Sequence, residues 1–100
     1  MTAPTIDRVA FDCPAWCTAN HENPMMQREE LEDGIREHGF CVGQVAEASV
    51  WVNRSDVLTG VRPGRVTVWA ESEGPLNTEE SIKYAQLIAA ATAIAEEAQP

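Results

Sequence analysis

The chain has 100 residues, 44% hydrophobic and 23% charged, which argues against full-length disorder and bounds the fold to one domain with a modest core. Sixteen acidic residues against seven basic ones leave a net charge of -9. Phosphate repels such a surface, so direct nucleic-acid binding and binding to anionic membranes are both disfavoured.

In chain order, residues 1–10 read as a loose arm, and Ile6, Val9 and Phe11 alternate loosely enough to form a short edge strand. No basic stretch followed by an apolar one opens the chain, and no apolar run nears the ~20 residues of a membrane span, so a cytoplasmic protein is expected. Asp12-Cys13-Pro14 has the form of a helix start, with Pro14 to about Asn20 making one or two turns. Residues 22–37 are acidic (Glu22, Glu29, Glu30, Glu32, Asp33 and Glu37 against Arg28 and Arg36). Leu31, Ile35 and His38 stand at helical spacing there, so Met26 to His38 reads as a short amphipathic helix or, equally, as a solvated acidic loop; Gly34 weakens the helix.

Residues 40–70 are rich in β-branched and aromatic side chains, and Val66-Thr67-Val68-Trp69-Ala70 alternates as a half-buried strand does. Asn53-Arg54-Ser55-Asp56 and Arg62-Pro63-Gly64 have turn chemistry, which divides the region into strands near 40–46, 48–53, 57–61 and 65–71. A final helix begins at Asn77 or Thr78, with Glu80 completing a capping box and Glu79 and Lys83 an i,i+4 pair. Tyr84, Leu87, Ile88, Ala91, Ile94, Ala95 and Ala98 line one face of it, and Ala89, Ala90 and Ala93 widen that face. The stripe reads as a sheet-packing face, with a homodimer contact as the alternative. The expected fold is α+β: a small antiparallel sheet of three or four strands packed by the alanine-rich C-terminal helix, with an N-terminal zinc-binding loop or short helix. Its parts are the arm at 1–10, a metal-binding segment at 11–41, the sheet at 42–71 and the helix at 77–98.

The three cysteines and two histidines all fall between residues 13 and 41. An odd number of cysteines without an export signal fits a disulfide framework poorly. Cys13, Cys17 and His21 are spaced four apart, which on a helix places them on one face. Zinc takes four nitrogen or sulfur ligands in a tetrahedron, so three local ligands and one distant one complete the shell. His38 is the first candidate for the fourth ligand and Cys41 the reserve. A catalytic zinc would require an open position and a general base. Glu22 and Glu37 adjoin the histidines, but neither the H-x-E/P-C-x-x-C nor the H-E-x-x-H pattern is present. Neither catalytic pattern supports an enzyme, which stays open as the lesser reading.

The stretch Cys13-Pro14-Ala15-Trp16-Cys17-Thr18-Ala19-Asn20-His21 resembles the C-P-x-W-C-x-x-x-H opening of small actinobacterial and actinophage proteins of unknown function. In those proteins a later His-x-Gly or similar segment, β-type sequence and an alanine-rich helix follow. Here His38-Gly39 and Leu76-Asn77-Thr78-Glu79-Glu80 occupy the corresponding places. The resemblance implies a metal site at Cys13, Cys17, His21 and His38, a phage or bacterial origin, and no particular activity.

Three functions are open to such a chain. A zinc-stabilised, regulatory protein-interaction module would use Trp51 and Trp69, which alternation turns away from the helix-packed face. An acidic regulator or inhibitor in nucleic-acid metabolism would exploit the net charge, and in its direct-binding form would need Arg54, Arg62 and Arg65 in one basic patch. A metal-dependent enzyme is the third.

Overall fold

The computed structural model describes residues 13–100. The arm at 1–10 and the edge strand expected around Ile6, Val9 and Phe11 lie outside the described residues. From Cys13 the chain runs through turns into helix α1 (Pro24–Asp33), then strands β1 (Ile35–Val45), β2 (Ala48–Val57) and β3 (Val66–Ser72), and ends in helix α2 (Thr78–Glu97). The sheet is antiparallel in the order β1-β2-β3. This is the expected α+β architecture, with three strands.

Several boundaries differ from the sequence expectation. No helix forms between Cys13 and Asn20; the segment is held by turns, with the Cys17 N–H donating to the Pro14 carbonyl at 3.0 Å. Helix α1 starts at Pro24 because the Asn23 side chain accepts from the amides of Met25 and Met26, and proline fits the first turn. It stops at Asp33 because Gly34 takes a left-handed conformation, φ 71°, and its N–H caps the Glu30 carbonyl. The chain is therefore extended from Ile35, which places His38 on a strand and not on a helix. Asn53-Arg54-Ser55-Asp56 also lies within β2 and makes no turn. Arg54 and Asp56, two apart on a strand, share a face and pair with each other there. No strand forms at 57–61; Val57 ends β2 and Val61 is exposed.

Pairing partners share a face, so the register divides the sheet cleanly. The inner face carries Arg36 and Asp56, then His38, Arg54 and Val66, then Phe40, Val52 and Val68, and then Val50 and Ala70. Helix α2 covers the apolar end through Tyr84, Leu87, Ile88, Ala91, Ile94, Ala95 and Ala98, packed on Val50, Val52 and Val66. Ala89, Ala90 and Ala93 stay exposed and do not widen the buried stripe. Leu87 lies so close to Gly43 that a Cβ there would meet its Cδ2 at 2.7 Å. The helix is capped as expected, Asn77 and Glu80 exchanging side-chain and backbone bonds. At its far end Gln99 grips β3, its carboxamide accepting from the Val66 N–H at 2.9 Å and donating to the Val66 carbonyl at 2.8 Å.

The polar end of the inner face is closed by the segment 13–21. Trp16 packs on Phe40 with ring centroids 5.9 Å apart, and both the N–H and the hydroxyl of Thr18 donate to the Gly39 carbonyl. That contact caps the outer edge of β1, which is further broken by a bulge between Cys41 and Gly43.

Candidate metal centre

A turn segment and one strand converge at the polar end of the sheet. Cys13, Cys17 and His21 come from the turn segment and His38 from β1. One donor atom from each of the four lies within 4.8 Å of every other. The Cys17 Sγ stands 3.5 Å from His21 Nε2, and the imidazoles of His21 and His38 meet edge to face at 4.9 Å. Ligands at about 2.0–2.3 Å from a tetrahedral centre stand about 3.3–3.8 Å apart, so the four donors need only small shifts to enclose an ion. The convergence arises from successive turns and a strand, not from one helical face. Cys41 does not join the group. It lies on the opposite face of the sheet, across from Trp51, and its thiol points to the Gly43 carbonyl.

Each histidine is oriented by a carboxylate. Nδ1 of His21 lies 3.2 Å from Glu30 Oε2, which leaves Nε2 as the lone-pair nitrogen facing Cys17. Nε2 of His38 lies 2.9 Å from Asp56 Oδ2, which leaves Nδ1 as the lone-pair nitrogen. That Nδ1 is buried and has no hydrogen-bond partner. A buried acceptor without a donor costs about 1–3 kcal/mol, and such atoms are rare in folded chains. The carboxylate–histidine pairing is also how metal-ligating imidazoles are held in the correct tautomer.

The two carboxylates are themselves neutralised. Glu30 Oε1 accepts from Arg36 Nε at 3.2 Å. Asp56 accepts from Arg54 Nε at 3.0 Å, Arg54 Nη2 at 2.8 Å and the Gly64 amide at 2.8 Å. Gly64 must be glycine, because a Cβ there would overlap the Ser55 carbonyl. Burial works to raise the Asp56 carboxyl, but Arg54 and the Gly64 amide overcome it and hold the group below the ordinary carboxylate range. Burial pushes His38 below the ordinary imidazole range against the pull of Asp56. The Cys13 thiol is pushed up to about 11, first by desolvation and then by its hydrogen bond to Cys17 and the charge there. Two thiolates side by side are therefore unfavourable unless a cation lies between them, and a divalent ion would balance both.

Glu22 and Glu37, which adjoin the histidines in sequence, are exposed; the carboxylates that touch the imidazoles are Glu30 and Asp56. Sequence reasoning did not identify either. The signal for Asp56 was its position two residues after Arg54 in a strand; the signal for Glu30 exists only in the fold. Arg54 is buried against Asp56, so it cannot join Arg62 and Arg65 in an exposed basic patch.

Trp51 and Trp69 are direct register partners on the outer face, 37% and 58% exposed. Among the described residues no helix is long and apolar enough to cross a membrane. No family model, no curated protein and no solved structure matches the chain.

Proposed function

We propose that the chain is a small regulatory protein-interaction module of bacterial or phage origin, stapled by one zinc ion on Cys13, Cys17, His21 and His38. The observation that carries the metal reading is the orphaned Nδ1 of His38, buried beside three other soft donors. Two thiolates and two imidazoles suit zinc. Four protein ligands leave no position for a reactive water, so the ion serves the fold and not hydrolysis. Structural zinc contributes about 10–16 kcal/mol in finger peptides, comparable with the ~5–15 kcal/mol net stability of a whole domain. The core supports this need, since among the described residues its buried hydrophobic side chains are alanines, valines and one leucine. The outer face then presents Trp51 and Trp69, large side chains of the kind that anchor protein contacts.

Elemental analysis tests the first half. One zinc per chain is expected, lost in Cys13→Ser, Cys17→Ser and His38→Ala and kept in Cys41→Ser. Metal-free protein with an unchanged melting curve would refute it. For the second half, a folded, zinc-loaded Trp51→Ala/Trp69→Ala variant is expected to lose partners in affinity capture, and retention of every partner would refute the interaction surface.

A further inference from the structure

We propose that the edge of β3 left unpaired among the described residues takes an extended, basic segment of another protein as a fourth strand. This rests on the reading of the Trp51/Trp69 face as an interaction surface and names the partner's chemistry.

The first observation is Gln99. Its carboxamide accepts from the N–H and donates to the C=O of Val66, the two bonds a neighbouring strand would make. The Val66 backbone groups therefore point away from β2. Alternation along a strand turns those of Val68 and Ala70 the same way. Among the described residues none of the hydrogen bonds outside the sheet ladder reaches either one. Trp69, Ala70, Glu71 and Ser72 are exposed along that edge. The opposite edge, on β1, is closed at Gly39 by Thr18. Among the described residues this edge is unpaired, and an unpaired edge that carries an exposed indole is the geometry used in strand addition.

The second observation is charge. The two strand-borne cations, Arg36 and Arg54, face inward and are paired with Glu30 and Asp56. The outer face presents Glu71 two residues along β3 from Trp69, and Glu37 farther off on β1, on a chain of net charge -9. Side chains of an added strand alternate between faces. Those on the outer side would lie beside Trp69 and Glu71, where a guanidinium or ammonium gains both a cation–π contact and a carboxylate. Those on the inner side would lie beside Val68 and Ala70, where small apolar groups fit. The partner segment thus alternates basic and apolar residues. A second copy is disfavoured as occupant, because both chains carry the same large negative charge.

The test uses the zinc-loaded full chain and a capped peptide of alternating Arg and Val, followed by amide shifts in NMR. Shifts centred on Val68, Trp69, Ala70 and Glu71 are expected, with binding that weakens as salt rises. Trp69→Ala should weaken it about tenfold. N-methylation of the valines, which removes the strand donors, should abolish it, and a Glu/Val peptide should not bind. Equal binding of the N-methylated peptide, shifts centred on the α1 carboxylates Glu29 and Asp33, or a peptide-free dimer joined through β3 would overturn the proposal. So would no binding at all. If Trp51→Ala/Trp69→Ala still loses partners in capture while the peptide fails, only the strand proposal falls. If capture is unaffected, the interaction surface falls with it.

Discussion

Replacing Asp56 by asparagine probes the support of the proposed metal centre without touching a proposed ligand. The carboxylate is fully buried and receives four hydrogen bonds, from His38 Nε2, two Arg54 nitrogens and the Gly64 amide. Asparagine keeps the shape and one acceptor oxygen. Its amide nitrogen, a donor, then faces other donors, and the Arg54 charge loses its partner. Removing one member of a buried ion pair costs about 3–5 kcal/mol, and asparagine's remaining acceptor places this variant near about 3 kcal/mol. The His38 tautomer is also no longer enforced, so zinc affinity should fall about 10–100-fold. Urea unfolding of the zinc-loaded protein reads the first quantity, and competition with a chromophoric chelator reads the second. A stability change below about 1 kcal/mol together with an affinity within about threefold of wild type would refute the reasoning.

Glu30→Gln should act in the same direction but more weakly, about 1 kcal/mol, because its bonds to His21 and Arg36 are longer, 3.2 Å each, and those partners lie nearer solvent; the same two assays measure it. Acid should destabilise the fold. Asp56 has a lowered folded-state value, so its contribution is full above the ordinary carboxylate value and is lost as pH falls through the lowered one. His38 is also lowered, so the unfolded imidazole protonates first and stability falls as pH drops below the ordinary imidazole range. Both slopes have the same sign, and melting temperature should fall between about pH 7 and pH 4, with zinc release alongside. Because the Cys13 thiol is raised to about 11, zinc uptake at neutral pH must displace its proton, and calorimetry in buffers of different ionisation enthalpy should record at least that release. Ala46→Gly should stabilise the β1–β2 turn by about 1 kcal/mol in a thermal melt, since Ala46 is held at φ 53°.

The Cys/His cluster is legible because clustering of cysteine and histidine is a chemical signal that survives errors in secondary structure. The four-residue spacing of Cys13, Cys17 and His21 suggests a helix that does not form, yet the fold does bring the three side chains together. Turns closed by Pro14 and Asn20 carbonyls bring the same atoms together. His38 was placed at a helix end because Leu31, Ile35 and His38 match a helical period. The left-handed Gly34 overrides that period, a possibility that a periodicity count cannot weigh. Helix α2 was legible from Asn77 to Ala98 because capping and apolar stripe agree locally. Asn53 to Asp56 was misread because turn-forming residue types served a different end. Within β2 the same Arg54 and Asp56 supply a buried ion pair, whose partners come from β1 and from the loop at Gly64. Such contacts are fixed by pairing across the sheet and leave little trace in local composition.

The hold of Thr18 on the Gly39 carbonyl limits what the sheet can build. A sheet with two available margins is able to link in series and grow into fibres. Here the 13–21 segment blocks one margin at Gly39, and the proposed guest strand would fill the other. Assemblies made by strand pairing should therefore be discrete, with one guest per chain, and a metal bound by Thr18's segment would act as a guard against polymerisation.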